Sequence, residues 1–137
     1  MDIADDETIG SEEQAERERE EYVDFDSLKE KVRHFVRERD WEKYHNPKDI
    51  AISIAVEAGE LLEIFQWMQP DELAKVKDNE QVVEKIRGEL ADVINHCISL
   101  ANNLDLDIPT LVVDKLKKAE KKYPKEQFMG VWQKPEG

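Results

Sequence analysis

An all-α fold of four main helices in one domain is what this sequence predicts, and three observations predict it. Charged and hydrophobic residues each make up 39% of the 137 residues, with only 5 Gly and 5 Pro. That balance suits amphipathic helices and fits a β-sandwich or barrel poorly. Apolar residues recur three or four positions apart along four long stretches, the period of a helix with one buried face. Capping residues precede three of these stretches, two of them with proline in the first turn. The length is enough for one core and too short for two.

Taken in order, residues 1–26 hold 12 Asp and Glu against 2 Arg, so most of the formal net charge of −13 lies there. The run from Ser11 to Tyr22 contains good helix formers but almost nothing to bury. An acidic N-terminal tail over residues 1–26, disordered or a frayed solvated helix, is therefore expected. Tyr22, Val23 and Phe25 are the groups with which it could dock. Ser27 and Glu30 fit a capping box, which starts the first helix at Leu28. Leu28, Val32, Phe35 and Val36 share one face of it, and it should fade between Asp40 and Tyr44.

Asn46 and Pro47 open a second helix, with Asp49 in the first turn where the macrodipole favours a negative charge. It runs to about Trp67 along the stripe Ile50, Ile54, Leu61, Ile64 and Met68, and Pro70 with Asp71 then opens a short helical turn through Val76. The third and longest helix spans 79–103, where Val82, Ile86, Leu90, Val93, Cys97, Ile98, Ala101 and Leu104 keep the period. Asp107 caps a fourth helix over 108–122, carrying Leu111, Val112, Leu116 and Ala119. Short links imply antiparallel neighbours in a four-helix-bundle-like domain over 27–124. Residues 125–137 read as an irregular C-terminal tail with Phe128, Met129, Val131 and Trp132 available to pack.

Charge and hydropathy remove several functions. An acidic chain repels phosphate backbones, so no nucleic-acid polymer is expected as a partner, while a small phosphorylated ligand accompanied by a cation remains allowed. The longest apolar stretch, Ile50 to Val56, is interrupted by Ser53 and is far too short to span a bilayer. The N-terminus is acidic where a signal peptide starts basic, and the single cysteine, Cys97, has no internal partner for a disulfide. A cytoplasmic protein without membrane contact is expected.

The informative anomaly is a set of carboxylates in slots that belong to apolar residues. Glu57 sits between Ile54 and Leu61 in the second helix, and Glu60 between Val56 and Ile64. In the third helix Glu89 lies between Ile86 and Val93, with Asp92 three residues on. Each pair is three residues apart, one turn along one face. Four acids brought together repel, at roughly 4 kcal/mol for two charges 4 Å apart at an effective dielectric near 20, so a cation must sit among them. All four offer hard oxygens, with no thiolate or histidine pair at metal spacing. That chemistry favours Mg²⁺, or Mn²⁺, completing its shell with water and substrate phosphate. Gly59 and Gly88 lie in helix interiors, where glycine costs about 1 kcal/mol relative to alanine, and close helix approach is the usual compensation. Glu63 extends the first series by three residues and reads equally as solvated or as part of the site.

Around the acids, Trp41, Trp67, Phe35 and His96 can form a flat pocket for a base, although core packing is the plainer reading of Phe35. His96, four residues past Asp92, belongs either at the rim of such a cavity or in a hydrogen-bonded core position. Lys115, Lys117, Lys118, Lys121, Lys122 and Lys125 cluster late in the chain, where the helix dipole favours cations anyway. Most read as a solvated face, and Lys115 is the one best placed to reach a triphosphate.

These residues resemble a known family. EAGEL followed by GELADV, with Glu60 and Glu89 separated by 28 residues, is similar to the ExxE and ExxD motif of the MazG-like all-α nucleoside triphosphate pyrophosphohydrolases. The likeness extends through RERDWEKYHNPKDIAISIAVEAGELLEIFQW to the closing KKYP, and is greatest to the dCTP pyrophosphatase branch. The resemblance implies Mg²⁺-dependent cleavage between the α and β phosphates, to a nucleoside monophosphate and pyrophosphate. It implies Glu57, Glu60, Glu89 and Asp92 as metal ligands, Trp41 and Trp67 as base-pocket residues, and Lys115 and Tyr123 as phosphate contacts. A homo-oligomer, dimer or tetramer, with pockets assembled between subunits is implied too. His96 and Ala119 depart from the branch, which has tyrosine and asparagine there, at positions that bear on base and sugar selectivity. Either Glu60 or Glu63 would orient or deprotonate the attacking water.

Two other readings use the same acids. A diiron carboxylate bundle needs Glu-x-x-His on two helices, and neither Glu57 nor Glu89 has histidine at that spacing. A noncatalytic helical interaction or regulatory module would leave the acids as a solvated face.

Overall fold

The structure is a computed structural model and describes residues 23–132. The acidic tail expected over 1–26 lies almost wholly outside the described residues. Among those residues there is no strand, and the chain is all-α. Helix α1 spans Phe25–Glu38, α2 Pro47–Phe65, α3 Pro70–Ala74, α4 Glu80–Asn103, α5 Ile108–Lys122 and α6 Lys125–Phe128, with 3₁₀ turns at Glu42–Tyr44 and Val76–Asp78.

The caps are set by side chains that satisfy free backbone donors. Asn46 accepts from the Asp49 N–H at 2.9 Å, Asn79 from Val82 at 3.3 Å and Asp107 from Thr110 at 3.1 Å. At α1 the expected cap moves. Asp24, not Ser27, is the N-cap, accepting from the Ser27 N–H at 2.7 Å, so Ser27 stands inside the first turn and α1 begins three residues earlier than expected. Its C-terminus also comes earlier, at Glu38, because Asp40 takes a positive φ of 53°. Asp40 N–H then donates to Arg37 O at 3.0 Å and Trp41 N–H to Val36 O at 3.1 Å, a Schellman turn in which aspartate stands where glycine is usual. The end of α4 repeats the device, with Asp105 at φ 53° and Leu106 N–H bonded to Ala101 O at 2.9 Å. The C-terminal region is less irregular than expected, since Pro124 leads into the single turn α6, whose Phe128 packs edge-on against Tyr123 at 5.3 Å.

Helices α2 and α4 form the principal pair, running antiparallel so that Glu57 faces His96 and Glu60 faces Glu89. Helix α1 lies on the C-terminal half of α4, where Val36, Ile50, Ile98 and Ala101 are buried and Ser99 with them. Polar ties close this end. Asn102 donates to Lys29 O at 3.2 Å and accepts from Arg33 at 3.3 Å, and Asn103 donates to His45 O at 2.7 Å. Helix α5 is held mainly at its start, near the Lys29 ammonium that donates to Leu106 O at 2.9 Å. It packs extensively on no other helix and buries none of its residues, so Leu111, Val112 and Leu116 remain open to solvent. The packed body of one chain is therefore α1, α2 and α4.

Candidate metal centre and adjoining pocket

Three of the four predicted ligands converge. Oxygens of Glu57, Glu60 and Glu89 lie within 4.8 Å of one another, close to the roughly 4–5 Å between opposite ligands of one divalent cation. The antiparallel register of α2 and α4 causes this, since acids one turn apart on each helix meet at the same level. Glu57 and Glu89 are half-buried, while Glu60, Glu63 and Asp92 are exposed. One oxygen of Glu57 and one of Glu89 are buried without a hydrogen-bond partner, a costly state for a carboxylate unless something binds it.

Electrostatics within the cluster point the same way. The Glu57 carboxyl is pushed up to about 7, first by the Glu60 carboxylate that shares its proton, then by burial and by the charges of Glu60, Asp92 and Glu89. Glu89 is also raised, first by burial, then by Glu60, with Asp92 and Glu63 contributing. Asp92 and Glu63 thus lie within electrostatic range of the convergent three without being part of the tight group. Hard oxygens, two of them orphaned and all mutually repelling, suit a divalent cation of the Mg²⁺ or Mn²⁺ type. The glycines do not act as expected: a Cβ at Gly59 or Gly88 would meet nothing within 4 Å, so neither mediates close packing within the chain.

Beside the acids, a cavity of about 340 Å³ opens between α1 and α4, its walls including Phe35, Trp41, His45, Asn95 and His96. The Schellman turn makes this wall. It returns Trp41 against α1, where its ring meets Phe35 edge-on at 5.8 Å, and the Arg39 guanidinium stacks on the Phe35 ring at 3.8 Å. Phe35 is 48% exposed, so it is a pocket wall and not the core residue its spacing suggested. His96 occupies the rim, half-buried, with Nε2 3.8 Å from Glu57 Oε1, and so links the cavity to the carboxylates.

The other predicted site residues do not gather here within one chain. Trp41 precedes α2 and Trp67 follows it, so a helix of 19 residues, about 28 Å long, stands between them. Trp67 is 82% exposed and lines no part of the cavity. Lys115 and Tyr123 belong to α5 and its C-cap, and neither forms an ion pair or hydrogen bond with the acids among the described residues. Asn95, His45 and Ser99 were missed as lining residues. The spacing of Asn95 from Asp92, a single turn, was a usable signal; the contribution of His45 depends on the turn after α1.

The sequence profile of the MazG-like family matches residues 52–135, a span that contains all four acids. The chain is 32% identical over 90 residues to dCTP pyrophosphatase 1 of Rattus norvegicus and to that of Homo sapiens, a match covering 66% of this chain and 53% of each relative. The chain thus spans about half the length of the curated relatives it matches. A crystal structure of a pyrophosphatase from Archaeoglobus fulgidus DSM 4304 superposes with a TM-score of 0.69 at 36% identity, covering 75% of this chain and 94% of that one.

Proposed function

Because this chain belongs to the MazG-like family, we propose that it hydrolyses a nucleoside triphosphate to the monophosphate and pyrophosphate, with Mg²⁺ as cofactor and Mn²⁺ able to replace it. The observation that carries this reading is the convergence of Glu57, Glu60 and Glu89 with two buried, unpartnered oxygens. Those three with Asp92 would hold the cation, which when bound lowers the pKa of water and offsets charge developing on the phosphates. Glu60 and Glu63 are the candidates to orient or deprotonate the attacking water, being exposed carboxylates within two turns of Glu57 on the same helix. The relatives named dCTP pyrophosphatase support a pyrimidine deoxynucleotide, dCTP or a modified form, as substrate, and a role in cleansing the nucleotide pool.

The base stacks on Trp41 in the cavity that His96 joins to the acids. Trp67, Lys115 and Tyr123 reach a site only as parts of another subunit, and the proposed assembly is a homo-oligomer, dimer or tetramer. Its support is the apolar surface left open on α2 and α5: Ile52, Val56 and Leu62 are 51, 54 and 64% exposed, and Leu116 59%. No helix among the described residues is long and apolar enough to cross a membrane, which fits the proposed cytoplasmic setting.

The test is product identification across dCTP, dTTP, dUTP, dATP and CTP with Mg²⁺. Release of pyrophosphate with the monophosphate, led by a pyrimidine deoxynucleotide, is expected. Orthophosphate with the diphosphate, or no cleavage of any member, would overturn the reading and favour a noncatalytic module.

A further inference from the structure

Asn95 is a polar residue of the cavity with hydrogen-bonding capacity to spare. The two asparagines further along α4 are occupied, Asn102 by Lys29 O and Arg33, and Asn103 by His45 O. His96, its neighbour in the wall, is turned to Glu57. Asn95 lines the same apolar cavity as Phe35 and Trp41, and its carboxamide makes no side-chain hydrogen bond among the described residues. A carboxamide offers donors and an acceptor side by side.

Its place along α4 also matters. Asn95 stands one turn past Asp92, about 4.5 Å along the axis, and Ser99, which lines the same cavity, about 10 Å past it. A phosphate held at the acids and a ring beside Asn95 and Ser99 would thus be separated along α4 by roughly the span of a sugar. An aromatic wall on one side and a free amide on the other is the arrangement that grips a heterocycle by its face and reads it by its edge.

Resting on the hydrolase reading above, we infer that Asn95 is the base-reading residue of the pocket, and that it pairs with the pyrimidines as a class, without separating cytosine from thymine or uracil. Cytosine presents an acceptor at N3 beside a donor at N4. Thymine and uracil present a donor at N3 beside an acceptor at O4. Rotating the amide by half a turn exchanges its donor and acceptor, so one side chain pairs with either edge through two hydrogen bonds. Discrimination within the pyrimidines then falls to groups outside this contact.

The experiment compares kcat/KM for dCTP and for dTTP, each divided by kcat/KM for methyl triphosphate, which has no base, in the wild-type protein and in Asn95→Leu. Asn95 is exposed on a helix surface, and circular dichroism checks that the variant keeps its fold. Both ratios are expected to fall together by about tenfold or more, since each base loses two hydrogen bonds. A fall for dCTP alone, or for dTTP alone, overturns the class-wide reading. Unchanged ratios in a folded, active variant overturn the role of Asn95 and leave the hydrolase reading standing. A wild-type protein inactive on every triphosphate overturns both.

Discussion

Helices α2 and α4 press like charges together in a partly buried seam, whereas α5 spreads its lysines in solvent and leaves its apolar residues uncovered. In the first region the unfavourable element is electrostatic: Glu57 and Glu89 are half-buried, raised in pKa and left with orphaned oxygens. In the second it is hydrophobic, with Leu111, Val112, Val113 and Leu116 all more than 40% exposed on a 15-residue helix that buries nothing. Each deficit names what would relieve it. Repelling carboxylates call for a cation, and a bare apolar stripe calls for another protein surface. The proposed chemistry thus rests on α2 and α4, and the proposed assembly on the open apolar face of α5.

The contrast can be broken most severely at the acids. Glu60→Ala or Asp92→Ala is expected to lower turnover by a factor on the order of a thousand, the loss of several kcal/mol of charge stabilisation, with helicity intact by circular dichroism. Wild-type rates in either variant would contradict the assignment. Next in size, Ile98→Ala, at the only fully buried large side chain among the described residues, should cost about 2–5 kcal/mol in denaturant unfolding. Leu116→Ala, 59% exposed, should cost well under about 1 kcal/mol in a dilute, dissociated sample. Equal losses would mean that α5 is packed within its own chain. By sedimentation, Leu116→Asp should shift the protein towards smaller species, and an unaltered profile would remove α5 from the interface.

A smaller effect concerns pH. The Glu57 carboxyl is raised to about 7, chiefly by Glu60 and by burial, so the folded chain keeps a proton there that the unfolded chain releases at its ordinary, lower value. The contribution to stability is present below that ordinary value and is lost as pH rises through about 7. The metal-free protein should therefore show a lower Tm at pH 8 than at pH 5, and Mg²⁺ should reverse the fall. A Tm that rises over that interval would show that the seam is not repulsive.

Much of this was legible in the sequence for a physical reason: a carboxylate in an apolar slot is a local contradiction, visible at Glu57 and Glu89 without knowing any neighbour. The helices were legible from period and from caps such as Asn46 and Asp107. The α1 cap was misread because Ser27 and Asp24 are both good caps, and only the backbone decides between them. The turns at Asp40 and Asp105 escaped because aspartate seldom takes the left-handed conformation that glycine advertises. Periodicity at Leu111, Val112 and Leu116 showed that α5 has an apolar face but not what covers it. That a whole helix stands between Trp41 and Trp67, by contrast, was available from the sequence. The pocket at Asn95 was not, because α1 supplies its other wall.

A divalent-cation site formed jointly by α2 and α4 is tested most directly by calorimetric titration of the wild-type protein and of Glu89→Gln with Mn²⁺. Saturable binding by the wild type, lost or weakened by about tenfold or more in a Glu89→Gln variant of unchanged helicity, is the expected result. Identical binding isotherms for the two proteins, or no saturable binding by the wild type, would show that the acids converge without serving a metal.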